Sequence, residues 1–286
     1  MTDLEVAIRA LIRGSGASRT AVAAGVVGGP RVVLIEADAV FHAASTMKLA
    51  VLVELYRRAW AGAVSLDGSI VVRNAFRSLA DGTVYELDPA DDSETGLYDR
   101  QGEAVTLREL AALMITVSSN LATNLLVDLL GAQRIDATVR DLGVSGIAVR
   151  RGVEDGPAFD AGLNNTVTAA GLATLLERIA DGTAAPPDAC AAMLDVLSRQ
   201  ALNEGIPAGL PPGMRVAHKT GSITCLYHDA GVVFPVGRAP FVLVVLTEGL
   251  EETVAGPALV ASIAGKVHEA ATLEATGSVP FPDPDA

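Results

Sequence analysis

An apolar run at positions 47–55 contains a lysine, Lys48, and this combination constrains the chain more than any other feature. The run is apolar on nearly every side of a helix, so it predicts a central helix buried in its own domain. Ser45 lies three residues before Lys48, and residues three apart on a helix share one face. The sequence therefore predicts that the Ser45 hydroxyl and the Lys48 amine meet at the start of a buried helix.

Lysine is rare in this chain, which has 18 arginines and three lysines, Lys48, Lys219 and Lys266. A buried lysine can act as a proton acceptor because burial lowers its pKa, whereas arginine stays charged. A lysine retained in such a chain indicates a site where arginine would not serve. Taken alone, however, Ser-x-x-Lys also fits a helix cap followed by a lysine that reaches the surface.

The negative charge of the chain limits its partners. The formal net charge is −13, which disfavours nucleic acid and anionic membrane surfaces as partners. The apolar runs are too short or interrupted for a transmembrane segment, and the first residues lack the pattern of a signal peptide. We therefore expect a small-molecule substrate, no nucleic acid or membrane partner, and a cytoplasmic location, or a secreted one if the chain is a processed form.

Metal and disulfide chemistry are not indicated. Cys190 and Cys225 are isolated in the sequence, and the four histidines show no ligand spacing. Neither a disulfide framework nor a zinc site is therefore supported. We expect no metal and no cofactor.

Helical patterns fill the middle of the chain, and strand patterns occupy both ends. Apolar residues at helical spacing predict helices at 4–13, 107–114, 120–130, 135–142, 168–180, 190–197 and 254–273, besides the helix that Ser45 begins. Strands are predicted at 20–27, 31–36, 215–218, 229–234 and 241–247, the first two as a hairpin. The polar stretch 73–102 is predicted as a loop.

This order of elements predicts an α/β (α+β) fold. Residues 1–40 and 205–275 are expected to form one antiparallel sheet domain flanked by helices, and residues 41–204 an inserted, mostly helical domain. Residues 276–286 contain three prolines and are predicted to be a disordered tail. The active site is expected where the two domains meet.

Two further motifs accompany Ser45 and Lys48. Ser118-Ser119-Asn120 opens a predicted helix, and Lys219-Thr220-Gly221-Ser222 follows the predicted strand 215–218. A helix cap and a strand end would explain each motif separately. Ser-x-x-Lys, Ser-Asp-Asn and Lys-Thr-Gly are together the signature of class A β-lactamases and penicillin-binding proteins. Over about residues 4–273, the chain resembles this serine β-lactamase and penicillin-binding protein superfamily, and class A most closely.

The resemblance implies a fold and a set of residue roles. The fold would be a domain with five antiparallel strands beside an all-α domain. Ser45 would be the nucleophile that forms an acyl-enzyme. Lys48 would accept its proton, helped by the charge of Lys219, and Ser118 would relay a proton to the leaving group.

The resemblance also implies a substrate-binding set. Asn120 would hold a substrate amide, and Lys219 with Thr220 or Ser222 a substrate carboxylate. Backbone N–H groups of Ser45 and Ser222 would form the oxyanion hole. The residues expected to bind substrate are Asn120, Lys219, Thr220, Gly221 and Ser222.

The chain departs from the family pattern at two places. Ser119 stands where the family usually has aspartate, so some hydrogen bonds can be kept but the charge is absent. Glu154 lies near the position of the family's deacylation base, but no asparagine follows at the family's interval and the loop before Thr166 is shorter. A loop acid or an arginine partner is the favoured interpretation of Glu154, and a packing residue that of Tyr98.

The sequence therefore predicts a serine hydrolase that acts through an acyl-enzyme, resembles class A β-lactamases, and hydrolyses β-lactams or related amides and esters. An esterase or amidase, or a slow penicillin-binding protein of the DD-peptidase type, is the alternative. A module that binds β-lactams or peptides without turnover is the alternative outside enzymes. A Ser-His-Asp hydrolase is disfavoured, because no Gly-x-Ser-x-Gly motif occurs and His228-Asp229 has no serine motif to match.

Overall fold

Five antiparallel strands from both ends of the chain form the main sheet of this computed structural model, which describes residues 2–250 and 254–276. The strands are, in chain order, β1 (Arg19–Val26), β2 (Arg31–Ile35), β3 (Phe41–His42), β4 (Ser69–Val71), β5 (Phe76–Arg77), β6 (Val84–Tyr85), β7 (Ala104–Thr106), β8 (Ile147–Ala148), β9 (Thr166–Val167), β10 (Arg215–Ile223), β11 (Leu226–Phe234) and β12 (Phe241–Glu248). The helices are α1 (Asp3–Gly14), α2 (Lys48–Trp60), α3 (Leu107–Thr116), α4 (Asn120–Leu130), α5 (Ala132–Asp141), α6 (Gly156–Asp160), α7 (Ala169–Ala180), α8 (Pro187–Ser198) and α9 (Ala255–Thr276). The sheet order is β10-β11-β12-β1-β2, and every neighbouring pair is antiparallel. The predicted fold class is confirmed.

Side chains of the main sheet alternate between two buried faces. On β12, Leu243 and Val245 pack with the terminal helices α1 and α9, whereas Val242 and Val244 pack with the helical middle of the chain. Successive residues of a strand point to opposite faces. A strand covered on both faces must therefore be apolar throughout. The result is three layers with the sheet in the middle. Helices α1 and α9 cover one face of the sheet, and the inserted helices cover the other.

Helix α2 lies in the centre of the helical layer and packs against α3, α4, α5 and α8. Its residues 48–56 are all buried, as the apolar run predicts. The acidic residue in this run, Glu54, is 3% exposed, and its Oε2 accepts a hydrogen bond of 2.6 Å from Thr138 Oγ1. A buried carboxylate needs such a partner, so Glu54 ties α2 to α5.

The start of α2 and the end of β10 differ from the prediction. Ser45 lies on a 3₁₀ segment, Ala44–Met47, that precedes α2. The Lys219 motif was predicted to follow a strand. Strand β10 instead runs to Ile223, so the motif lies within the strand and pairs with β11. The backbone of polar residues pairs as well as that of apolar ones, but their side chains interrupt the pattern from which a strand is predicted.

Other predicted segments have mixed outcomes. The predicted loop 73–102 contains the short strand pair β5 and β6. Tyr98 is 8% exposed and packs in the core, as the favoured interpretation has it. Residues 277–286 of the predicted tail lie outside the described residues, and Thr276 ends α9. The domain bounds remain a prediction.

Membrane-spanning helices, disulfides and metal-binding clusters are all absent from the described residues. None of their helices is long and apolar enough to cross a membrane. Cys190 is buried, Cys225 is exposed, and both are free. No group of three or more histidine, cysteine or acidic residues within the described ranges could hold a metal ion.

The N-terminus of α4 is stabilised by a carboxylate from a distant loop. Asp92 Oδ2 accepts hydrogen bonds from the backbone N–H of Asn120 at 2.8 Å and of Leu121 at 2.9 Å, and from Tyr98 Oη at 3.0 Å. Ser119 Oγ accepts from the next N–H, that of Ala122, at 3.2 Å. The first N–H groups of a helix have no partner within the helix, and negative charge is favoured there. Asp92 therefore supplies the carboxylate that Ser119 does not provide.

Replacing Asp92 with Asn should lower the free energy of unfolding by about 1–2 kcal/mol, because two charge-assisted hydrogen bonds to backbone N–H groups become neutral ones. The double variant Asp92→Asn/Ser119→Asp should recover part of this loss, since it returns a carboxylate to the same helix end. Urea unfolding followed by circular dichroism measures both effects. Asp88→Asn is the matched control, because Asp88 is exposed and caps a 3₁₀ turn of the same loop. An equal effect of Asp88→Asn and Asp92→Asn would contradict the assignment.

Candidate active site

Ser45 and Lys48 lie one turn apart, where the 3₁₀ segment Ala44–Met47 meets α2. Because a 3₁₀ helix has about three residues per turn, side chains three apart lie directly above one another. Ser45 is partly exposed, whereas Lys48 is fully buried. The hydroxyl therefore opens to the cleft, and the amine is shielded from water.

The amine of Lys48 lies among three oxygen atoms. Its Nζ is 2.7 Å from Ser118 O, 3.2 Å from Ser118 Oγ and 2.9 Å from Asn120 Oδ1. A neutral amine has two N–H groups and one lone pair. It can donate to Ser118 O and Asn120 Oδ1 while it accepts from the Ser118 hydroxyl. This arrangement links Lys48 to the second motif by a path along which a proton can move.

The pKa of Lys48 is well below its ordinary value. Burial is the largest cause, and the charge of Lys219 adds to it, whereas Asp92 and Glu154 oppose it. Burial also lowers the pKa of Lys219, to about 7, against the opposing charge of Asp229. Two ammonium groups in one dry site disfavour each other, so the charge of Lys219 favours the neutral form of Lys48.

Strand β10 brings the third motif against Ser45. Lys219 is fully buried, and its Nζ donates to Thr220 O at 3.0 Å. Gly221 allows the strand to approach closely, because a Cβ at this position would lie 3.1 Å from the Ser45 backbone nitrogen. Ser222, one residue on, lines the cleft beside Ser45. The three predicted motifs therefore meet at one place.

Two adjoining cavities flank Ser45. The larger, of ≈ 520 Å³, is also lined by His42, Arg151, Glu154 and Phe159. The smaller, of ≈ 250 Å³, is also lined by Ser118, Thr220, Glu204 and Tyr227. Asn120 and Ser222 line both. A ligand bound to Ser45 can thus extend in two directions.

Glu154 lies inside the cleft and not on open surface. Asn120 Nδ2 donates to Glu154 Oε1 at 3.0 Å, while Asn120 Oδ1 accepts from Lys48. Burial raises the pKa of Glu154, and the hydrogen bond from Asn120 opposes this. Within the described ranges Glu154 has no ion-pair partner, so it is paired with neither Arg150 nor Arg151. Its catalytic role remains a prediction.

Backbone strain is concentrated around this cleft. Among the described residues other than glycine, positive φ angles occur at Glu36 and at four residues of the site region, Ala44 (43°), Ser118 (61°), Glu154 (60°) and Cys225 (59°). A non-glycine residue in this conformation is strained, and such residues cluster at functional sites. Ala44 directly precedes Ser45, and Ser118 and Glu154 are themselves predicted catalytic residues.

Some residues of the site were not predicted from the sequence. Asp92 has no motif or periodic pattern around it, and nothing in the sequence could have indicated its contact with α4. Asn124 clamps the loop of Glu154, because its Oδ1 accepts from Val153 N–H at 2.7 Å and its Nδ2 donates to Val153 O at 2.9 Å. The spacing of Asn120 and Asn124, four apart on an apolar helix, was a usable signal.

Asn165 closes the other end of the same loop. Its Oδ1 accepts from the N–H groups of Arg150 at 2.7 Å and Arg151 at 3.1 Å, and its Nδ2 donates to Arg151 O at 3.0 Å. These contacts join the two ends of the loop through backbone atoms. The loop is therefore closed by a neutral amide and not by an ion pair.

Comparisons with known proteins agree with the fold and the motifs. The β-lactamase of Streptomyces albus G is 31% identical over 264 residues, which cover 89% of this chain and 80% of that protein. A solved β-lactamase from Sphaerobacter thermophilus DSM 20745 aligns with a TM-score of 0.79 and 29% identity, over 97% of this chain and 98% of that one.

A penicillin-binding protein is also similar in structure. PBP-A aligns with a TM-score of 0.80 and 26% identity, over 94% of this chain and 96% of that one. A mutant of PBP-A with the same TM-score and identity is an acyl-enzyme complex with penicillin G. Finally, the model that describes the β-lactamase enzyme family matches residues 3–271, a range that contains all three motifs. This chain therefore belongs to the β-lactamase enzyme family.

Proposed function

We propose that this protein hydrolyses β-lactams through an acyl-enzyme formed on Ser45. The observation that carries the proposal is the buried Lys48 amine, which lies one turn from Ser45 and within hydrogen-bond distance of Ser118 and Asn120. Burial and the charge of Lys219 lower its pKa, which favours the neutral amine that can accept a proton. A general base needs both this geometry and this pKa.

Acylation uses the residues around Ser45 in two steps. Ser45 Oγ bonds to the lactam carbonyl carbon while its proton passes to Lys48 Nζ, and the negative oxygen that forms accepts from the N–H groups of Ser45 and Ser222. The carbon–nitrogen bond then breaks, and the leaving nitrogen takes a proton from Ser118 Oγ. Lys48 returns its proton to Ser118, which restores the starting protonation.

The same group of residues is proposed to bind the substrate. Lys219, in its protonated form, with Thr220 and Ser222 holds the carboxylate of the substrate on the side of the smaller cavity. The Asn120 side chain lines both cavities and holds the amide of the acyl side chain. Gly221 lets β10 lie close enough for these contacts.

Deacylation is assigned to Glu154. Its carboxylate lines the cavity that contains Ser45, it is oriented by Asn120, and its raised pKa makes it a better proton acceptor than a surface carboxylate. A water molecule would give its proton to Glu154 as it attacks the ester carbon. Glu154 would then return this proton to Ser45 Oγ as the carbon–oxygen bond to Ser45 breaks, which restores both groups.

Slow turnover, as in a penicillin-binding protein, is the second candidate. The similarity to PBP-A and the absence of an asparagine at the family's interval after Glu154 favour it.

Intact-protein mass spectrometry after mixing with benzylpenicillin tests the proposal. The wild type should gain the mass of the penicillin and then lose it, and Ser45→Ala should gain nothing, because the nucleophile is absent. Ser93→Ala, which removes another hydroxyl from the lining of the smaller cavity, is the matched control and should behave as wild type. A lasting adduct would support the slow penicillin-binding protein. An unlabelled wild type would indicate an esterase or a binding module, and a labelled Ser45→Ala would exclude Ser45.

Lys48→Arg should lower the acylation rate by about 10²-fold or more, because arginine keeps the charge but cannot accept a proton. Wild-type acylation should rise with pH as Lys48 loses its proton and fall again as Lys219, whose pKa is lowered to about 7, loses the charge that holds the substrate carboxylate. The variant should keep the fall and lose the rise. Stopped-flow measurement with a chromogenic cephalosporin between pH 5 and 9 gives both results. Lys266→Arg is the control, since Lys266 is exposed on α9. A near-normal rate in Lys48→Arg would mean that Lys48 acts only through its charge.

Glu154→Gln should leave acylation within a few-fold of wild type and slow deacylation by about 10²-fold or more, because only the second half-reaction needs this base. Single-turnover kinetics and the lifetime of the adduct separate the two halves. Glu204→Gln, which changes an exposed carboxylate of the smaller cavity, should change neither. An unchanged deacylation rate in Glu154→Gln would mean that Glu154 is a loop acid and not the deacylation base.

A further inference from the structure

Arg151 is a buried positive charge in the wall of the larger cavity. Its side chain is 6% exposed, its Nε has no hydrogen-bond partner, and its Nη1 donates to Gly152 O at 3.0 Å. No acidic group within the described ranges lies in ion-pair distance of it. The nearby Asp155 is instead bound by the N–H groups of Leu79 and Ala158. Because buried charges are ordinarily paired, this guanidinium points to a ligand that carries the missing negative charge.

His42 presents a second donor to the same place. Its Nδ1 accepts the N–H of Ala44 at 3.1 Å, so a neutral ring carries its proton on Nε2. Burial and the charge of Arg151 lower the pKa of His42, which keeps the ring neutral. Its Nε2 lies 3.5 Å from Arg151 Nη2. Two donors face each other, and an acceptor bound beside them would satisfy both.

The cavity connects these donors to the reacting serine. Ser45, Asn120, His42 and Arg151 all line it, as does Phe159. The Phe159 side chain is 51% exposed, and its ring centroid lies 5.5 Å from the guanidinium carbon of Arg151. An aromatic face and a cation lie side by side. Together they match an acyl side chain that has both an aromatic ring and an anionic group.

We propose that His42 and Arg151 form a subsite for a carboxylate on the acyl side chain of the substrate, so that the preferred substrates carry two carboxylates. One is held by Lys219 on β10, and the other by Arg151. Asp91 and Glu154 line the same cavity and repel an anion that does not reach the two donors. The proposal rests on the proposed function, since it assumes that the acyl group is bound in the larger cavity.

Benzylpenicillin and carbenicillin test the proposal, because they differ by one carboxylate on the acyl side chain. The second-order rate constant of Ser45 acylation, measured by mass spectrometry, should be higher for carbenicillin with the wild type. Arg151→Gln should lower the constant for carbenicillin by about 10-fold or more, since removing one partner of a buried charge pair has a large effect. The constant for benzylpenicillin should change by less than about 3-fold.

Arg150→Gln is the matched control. Arg150 is the exposed neighbour of Arg151, and its side chain has no partner among the described residues, so both constants should stay at wild-type values. Equal losses for both penicillins in Arg151→Gln would mean that Arg151 only supports the loop, and would overturn the proposal.

The wild type alone also tests the proposal through its reaction with the two penicillins. If Arg151→Gln does not fold, the wild-type rate constants are sufficient. A higher constant for benzylpenicillin, or equal constants for both penicillins, would contradict the proposed subsite. Failure of the wild type to react with either penicillin would reject the proposed function itself. Reaction with both, but without a preference, would reject the subsite alone.

Discussion

The burial of two lysine side chains in one cleft is the constraint on which the site depends. Lys48 comes from the helical layer and Lys219 from the sheet, and both are fully buried. Dry surroundings disfavour a charge on either, and each charge disfavours the other. The fold therefore lowers the pKa of the amine beside Ser45 and favours its neutral form.

Neutral amides hold the parts of the site together. Asn120 contacts both Lys48 and Glu154, Asn124 holds Val153, and Asn165 joins the two ends of the loop. An amide donates and accepts at once, so it can bridge an amine and a carboxylate without adding a charge of its own. These contacts hold the loop in which Glu154 has a left-handed backbone conformation.

Much of the fold could be predicted because it follows from short-range patterns. The apolar run of β12 and the helical spacing of 120–130 indicated their elements, and the order of strands and helices indicated a sheet assembled from both ends. The extent of β10 could not be predicted, because Lys219 and Thr220 interrupt its apolar pattern. The three motifs located the cleft. The contact between Asp92 and α4 was beyond prediction, since it joins residues that are distant in sequence and share no pattern.

The scarcity of lysine has a consequence for chemical labelling. Lys266 is the lysine that reaches solvent, with a side chain 45% exposed on α9. Helix α9 covers the face of the sheet opposite the layer that contains Lys48. Among the lysines, an amine-reactive dye or surface linker therefore finds its target on the back of the molecule. A protein attached through this side chain presents its cleft to the solution in one orientation.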